Sequence, residues 1–387
     1  MIKNMNMSTP KLTVLMALYN GGDYLKHSIG SVLNQTYADF DFLIVDDCST
    51  DHSLKIIESF HDRRIKIYHN AKNLGQTKSL NLGLKLAEGD YIARMDGDDI
   101  ALPQWLEAQV NYIKRNPGCS VVSSYAIAID EQNKIKKIYK PPSHREDIIL
   151  RSLIASPINH VGSVFKKKDV IENDGYDESY IIAADYALWG KLLRNNFQIT
   201  TTPKILMAIR EHTRSVSRSE QGRQNLEEIK KIAGRNISQF VNEKFSEDEI
   251  NLFCRANYDE GSLTDAEFNR AVGVTKRVYA HLAPSLKVRE AEKNRWTRQR
   301  CQTIYLKRIF YAIIQKDYNT AKELSFKGMR EFGLLNVLTA FGGISALNGR
   351  MLGFIPGLYA KILEKNARFQ LNFSRNVRNI KGMGMFT

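Results

Sequence analysis

Cysteine is scarce. The 387-residue chain has four, Cys48, Cys119, Cys254 and Cys301, and no CxxC pair. Such spacing excludes a disulfide-stapled scaffold and a thiolate zinc site of the usual kind, and it points to a reducing compartment. The opening MIKNMNMSTP lacks the apolar core of a secretory signal, so the cytoplasm is the expected location. An unbroken run of about 20 apolar residues, the length that spans a bilayer, is also lacking. The nearest approach is Phe332–Gly349, which is uncharged but interrupted by Asn336, Thr339, Ser345, Asn348 and glycines. It reads as a buried or interfacial segment. There is no low-complexity tract, and one helical hairpin over 299–331 does not make a solenoid.

What is present is basic charge, 56 Lys and Arg against 42 Asp and Glu, a net +14. The excess is uneven. Residues 1–220 hold 28 basic and 26 acidic side chains; residues 221–387 hold 28 and 16, a net +12. A basic half implies nucleic acid, an anionic membrane surface or simply a solvated helical face. At about 100–200 residues per domain the length suggests two domains. A 43% apolar share excludes wholesale disorder.

Apolar runs alternate with helical patterns along the first hundred residues. Strands are expected at Lys11–Asn20, Phe40–Val45, Arg64–Tyr68 and Tyr91–Met95. Helices are expected at Tyr24–Gln35, Ser53–Phe60 and Gln76–Ala87. This alternation predicts a parallel sheet covered on both faces, with ligands beyond the carboxyl ends of its strands. Farther on, helices are expected at Gln104–Arg115, Asp147–Ala155 and Ala184–Asn195. A long strand or strand pair is expected at Ser120–Ile129, and a short strand at Gly162–Phe165. After about 220 only helical periodicity remains, so a boundary is expected near 215–225.

Polar clusters fall at three of the expected strand ends: Tyr19–Asn20, Asp46–Asp47 and Asp96–Asp99. In DGDD, two carboxylates two residues apart on a tight turn can converge on Mg²⁺ or Mn²⁺, which prefer oxygen ligands. An acidic turn that merely caps the next helix has the same composition. In DDCSTD, a carboxylate can accept the N–H of a pyrimidine ring, while Ser49 or Asp51 caps the following helix.

Four blocks carry a resemblance. YNGGDYLKHSIGSVLNQTYADFDFLIVDDCSTDHS, NLGQTKSLNLGLKLAEGDYIARMDGDDIALPQWLEAQ, ADYALWGKL and REHTRSVS stand in the order and rough spacing of family 2 glycosyltransferases. The chain resembles that family over about residues 11–217. The resemblance implies a GT-A fold, a Rossmann-like and mostly parallel α/β sheet flanked by helices, at 1–217. A mainly α-helical, basic domain at 218–387 lies outside it. It further implies a nucleotide-sugar donor, a UDP-sugar foremost, with Mn²⁺ or Mg²⁺ and inversion at the anomeric carbon. The implied acceptor is a glycan or lipid-linked glycan in surface polysaccharide synthesis.

Carried over position by position, Ala17, Tyr19 and Asn20 meet the base of the donor, and Asp47 is its recognising carboxylate. Lys78 lies near the phosphates, Asp96 approaches the ribose or the metal, and Asp98 is the metal ligand. His212 is an additional metal or diphosphate ligand, and Asp185 is the general base. His160 and Trp189 are acceptor-side candidates, each with a structural role as the alternative. Two departures stand out: Ala17 replaces the usual Pro, and Ala184 replaces the Glu that usually precedes the base. Inverting transfer needs one base and a group that neutralises the departing diphosphate, so this set suffices.

Two other functions compete. A nucleotidyltransferase shares the sheet and the metal-binding Asp, but it calls for a basic Gly-rich loop after the first strand. Here ALYNGGDYL has no basic residue before Lys26. A non-catalytic nucleic-acid binder would use the basic C-terminal half, where Tyr305, Phe310 and Tyr311 interleave with Arg and Lys. The same half, with Phe332–Gly349 and Met351–Ala360, suits peripheral contact with the inner face of the cell membrane, or a homo-oligomer contact.

Overall fold

The computed structural model describes residues 11–212, 226–258 and 263–314, and beyond them 320, 323–325, 327, 328 and 331. It divides into two compact units, Met1–Phe240 and Val241–Thr387.

The first unit opens with β1 (Leu12–Leu18), buried at every position, as a strand covered on both faces must be. A 3-10 turn at Gly22–Tyr24 leads into α1 (Leu25–Leu33), which buries Leu25, Ile29 and Val32. Then come β2 (Asp41–Asp46), α2 (Ser53–Glu58), β3 (Ile65–His69), α3 (Gln76–Leu86) and β4 (Tyr91–Met95). The strands pair in parallel in the order β3-β2-β1-β4. Gly83 lets α3 lie close on the sheet: a Cβ there would fall 2.4 Å from Leu15 Cδ1.

Beyond β4 the chain adds β5 (Ile100–Ala101), α4 (Trp105–Arg115), β6 (Cys119–Ile129), β7 (Ile135–Tyr139), α5 (Arg145–Ser152), β8 (Val164–Lys166) and α6 (Lys167–Ile171). It continues with α7 (Ala184–Arg194) and β9 (Gln198–Arg210). The sheet runs on from β4 as β8-β6-β9-β5, with β7 beside β6. β8 is antiparallel to both neighbours, whereas β6 and β9 are parallel. Trp105 is fully buried and donates its indole N–H to the Gly162 carbonyl at 2.8 Å, a core role.

Three strands went unread in the sequence. β9, 13 residues long, begins QITTTP, where polar residues and Pro203 mask the strand pattern. Its burial comes from its neighbours, since β6 flanks it along most of its length. The short β5 and the half-exposed β7 carry too few apolar residues to stand out.

The unit boundary also differs from the expected 217/218. α8 (Leu226–Phe240) belongs to the first unit, and it buries Ile232, Ala233, Ile237 and Phe240. The fully buried Asn236 donates its amide to the Ser152 carbonyl at 2.7 Å.

The second unit is helical: α9 (Glu247–Tyr258), α10 (Asp265–Ala280) and α11 (Glu290–Ile314). Thr264 and Glu267 form a capping box at the start of α10, which satisfies N–H groups that a helix start leaves open. Tyr305 is 1% exposed and packs edge-on against Phe268 at 5.0 Å, so it is core and not a base-stacking platform. No helix among the described residues is long and apolar enough to cross a membrane. The stretches 332–349 and 351–360 lie outside those residues.

Candidate active site

Strands β1, β2 and β4 end side by side, with Leu18 opposite Asp46 and Met16 opposite Met95. The residues just past those ends therefore share one edge of the sheet. Tyr19 is 50% exposed there. Asn20 takes the left-handed conformation at φ 50°, and its side-chain oxygen accepts the Thr50 N–H at 2.8 Å. The Asn20 N–H donates to Ser49 Oγ at 2.9 Å, which ties the first loop to the DDCSTD loop. Asp51 accepts N–H bonds from Ser53 and Gly22, tying the two loops together, while His52 and not Asp51 stands at the N-cap of α2. Ala17 lies buried within β1. Lys78 is exposed in the first turn of α3.

Asp47 is buried. One of its oxygens accepts the Asn70 amide at 2.7 Å and the Leu74 N–H at 2.8 Å; the other accepts the Gly75 N–H at 2.8 Å. A carboxylate has about four lone-pair sites, so about one remains for another donor. Its visible work is to hold the turn that starts α3.

The DGDD turn is braced from beneath and from β9. Asp96 accepts a hydrogen bond at 2.6 Å from the guanidinium of Arg94, which is fully buried. Burial still pushes the Asp96 carboxyl above its ordinary value, against the pull of that cation. Asp99 accepts the Arg210 N–H at 2.7 Å, and the Arg210 side chain donates to the Asp98 carbonyl at 3.0 Å. Arg210 also bonds the Asp130 carbonyl and Asn133, and its guanidinium lies 4.4 Å from the centre of the Tyr24 ring. Just past β9, His212 Nε2 stands 2.9 Å from Asp98 Oδ2, across 114 residues of sequence. Asp98 is 32% exposed at its side chain and His212 8%. Of the three expected metal ligands, Asp98 and His212 meet, while Asp96 bonds Arg94. Among the described residues no group of three or more His, Cys, Asp or Glu side chains converges as a metal cage.

A second pole lies at the start of α7. Asp185 is in the helix's first turn and accepts the Ser156 hydroxyl at 3.0 Å. Burial raises its carboxyl above the ordinary value, opposed by hydrogen bonds from the Tyr186 N–H and Ser156. His160 pairs with the Tyr176 hydroxyl at 2.8 Å, and burial holds its imidazole well below the ordinary value, so it is neutral. Trp189 is fully buried, edge-on to His160 and Phe165 at 6.0 Å each. It is therefore core, which corrects the acceptor-side expectation: on a helix packed into the sheet layer its large ring faces inward.

Sequence reasoning passed over Arg94, Ser156, Tyr176 and Arg210. Arg94 did carry a signal, since a charged residue inside an apolar strand is seldom buried without a partner.

The model of the family described as Glycosyl transferase family 2 matches residues 13–173. An uncharacterized glycosyltransferase of Haemophilus influenzae is 34% identical over 245 residues, which cover 60% of this chain and 75% of that protein. The UDP-Gal:alpha-D-GlcNAc-diphosphoundecaprenol beta-1,3-galactosyltransferase of Escherichia coli is 29% identical over 230 residues, covering 58% of this chain and 83% of the other. Among solved structures, S. aureus TarS 1-349 in complex with UDP-GlcNAc superposes with a TM-score of 0.52 at 18% identity, over 81% of this chain and 90% of that one. That last likeness concerns the fold, a mixed α/β sheet of GT-A type. The family model spans the first two motif blocks, and with the relatives above it shows that the chain belongs to the family 2 glycosyltransferases.

Proposed function

We propose that the enzyme transfers a sugar, with inversion and with a divalent metal, from a UDP-sugar to a glycan or lipid-linked glycan during surface polysaccharide synthesis. The observation that carries this reading is the meeting of Asp98 and His212 at the edge where the parallel strands end. The family assignment speaks against the nucleotidyltransferase reading and against a non-catalytic protein. Donor and acceptor class are proposed by analogy with the E. coli relative named above and with the amylovoran biosynthesis glycosyltransferase AmsE of Erwinia amylovora, 30% identical over 202 residues.

A carboxylate and an imidazole that face each other, with the carboxylate a third exposed, suit Mn²⁺ or Mg²⁺ completed by diphosphate oxygens. Asp98 and His212 would hold that ion, which when bound neutralises charge on the departing diphosphate. Tyr19, Asn20 and the last free site of Asp47 would take the base, with Lys78 near the phosphates. Asp185 accepts the proton of the acceptor hydroxyl as its oxygen bonds the anomeric carbon from the face opposite the diphosphate, whose C–O bond breaks. A raised carboxyl fits that work, since a base performs best with a pKa near the working pH.

The test is a panel of nucleotide sugars assayed for slow hydrolysis with Mn²⁺ and again with EDTA. Release of UDP from one UDP-sugar, abolished by EDTA, is expected. Release that is unchanged by EDTA sinks the metal reading, and preference for a guanine or thymine nucleotide sinks the donor reading.

The same proposal sets the enzyme on the cytoplasmic face of the membrane. Residues 221–387 carry the net +12, and Lys327, Arg330, Lys361, Lys365 and Arg368 flank the apolar stretches. Each basic residue near an anionic surface contributes about 1 kcal/mol. Full-length protein should float with anionic vesicles at low salt, and a chain ending at Arg330 should float less. If both sediment, those stretches pack within the chain or against a second copy.

A further inference from the structure

Helix α7 opens without a side-chain cap of its own. Ala183 stands at the N-cap position, and Ala184 follows where the family resemblance expects Glu. The N–H groups of the turn that leads into the helix are met from α8. One carboxylate oxygen of Glu228 accepts the Ile181 N–H at 2.8 Å; the other accepts those of Ile182 at 3.2 Å and Ala183 at 2.9 Å. Three consecutive backbone donors thus end on one side chain, two residues before Asp185.

The rest of α8 supports the same turn. Arg235 reaches Asp177 at 4.0 Å and lies 5.9 Å from the centre of the Tyr180 ring. Asn236, eight residues after Glu228 and so about 12 Å along the helix, accepts a hydrogen bond from Arg194 at the far end of α7. α8 therefore runs alongside α7 in the same direction and grips it at both ends. The fit is close, since a Cβ at Gly190 would fall 2.9 Å from Asn236 Oδ1.

We propose that Glu228 is a positioning residue for sugar transfer: it latches the 181–183 turn so that Asp185 keeps its place against the acceptor hydroxyl. The inference rests on the reading of Asp185 as the base. The turn entering a helix lies in the positive field of the helix start, and a carboxylate that accepts the N–H groups of that turn does so with charge-assisted bonds. With Glu228 gone, those donors turn to water or to the next carboxylate, and Asp185 is one. A displacement of about 1 Å in a reacting group can cost about 100-fold in rate.

The experiment compares Glu228→Gln and Glu228→Ala with Asp185→Asn in the full chain. It reads amide hydrogen exchange at 181–185, UDP affinity by calorimetry, and hydrolysis of the best UDP-sugar from the panel. Exchange at 181–183 should accelerate in Ala and less in Gln, which keeps one acceptor oxygen. Turnover should fall by about 10- to 100-fold in Ala, with the Kd for UDP held within about twofold. Unchanged exchange overturns the proposal, as does released exchange with normal turnover. A parallel loss of UDP affinity overturns it too, because it marks general damage. Near-normal turnover in Asp185→Asn sinks the base reading and this inference with it. That outcome is recognised by exchange effects of Glu228 that persist without any rate effect of Asp185.

Discussion

The two poles of the site are built by different means. The Asp98–His212 pole rests on strand ends. Its turn is gripped by Arg210 through the Asp99 carboxylate and the Asp98 carbonyl, and Arg210 in turn spans to the β6–β7 turn at Asp130 and Asn133. The Asp185 pole rests on one helix start, fixed from the sides by Ser156 and, at the turn before it, by Glu228. Strand ends in one register hold charged groups against a common point with little freedom. A helix start can be re-aimed by whatever packs beside it. On the proposed reading, the first pole suits a constant task, holding a diphosphate, and the second a task whose partner varies, meeting an acceptor.

The largest effect expected lies at the second pole. Asp185→Asn keeps shape and the Ser156 contact but cannot take a proton, so turnover should fall by about 10²–10⁴ while UDP still binds. In the wild type the rate should decline as pH falls through the pKa of Asp185, because only the ionised form is a base. Since burial raises that pKa, the decline should begin above the ordinary carboxylate range. A pH–rate profile checks the sign. Undiminished turnover in Asp185→Asn would erase the second pole.

At the first pole, Asp98→Ala should lower metal-dependent turnover by about 10²–10³, the loss typical when one stabiliser of developing charge is removed. The fold should persist, as the Asp98 side chain is a third exposed. Manganese titration of activity separates this loss from that of Asp185→Asn: only the first should weaken metal dependence. Equal manganese responses in the two variants would break the comparison.

The parallel half of the sheet was legible because a strand buried on both faces must be apolar along its length. LTVLMAL and DFLIVD show it without help from their neighbours. β9 was illegible for the converse reason. Its Thr and Pro residues become a strand through their pairing with β6, which no local pattern records. The same division runs through the site. Asp98 and His212, which the structure brings within 2.9 Å of each other, were singled out because their motifs stand in the family's order. The internal bonds of Asp47, the Arg94–Asp96 pair and the Glu228 latch arise from contacts across 27, 2 and 45 residues respectively. The Arg94–Asp96 pair is only two residues apart, yet alternation alone predicts solvent, not burial, for an arginine. Trp189 stood open between two roles because a tryptophan four residues after a first-turn carboxylate suits a sugar platform as well as a core, and its full burial makes it core.

The smallest effect, and the finest probe of how the helix start is held, belongs to Ser156→Ala. A hydroxyl has one hydrogen to donate. Ser156 has two acceptors within reach, Asp185 Oδ2 at 3.0 Å and the Ile158 carbonyl at 3.2 Å. If the hydrogen goes to Asp185, it favours the ionised carboxylate, and its removal raises the pKa further. The variant should then lose activity at lower pH and keep it on the alkaline side, where Asp185 is ionised in both proteins. One such bond is worth about 0.5–1.5 kcal/mol, so the acid limb should move up by about one pH unit at most. A limb that stays in place would assign the hydrogen to Ile158. Asp185 would then be held at this pole by its own helix and the Glu228 latch alone.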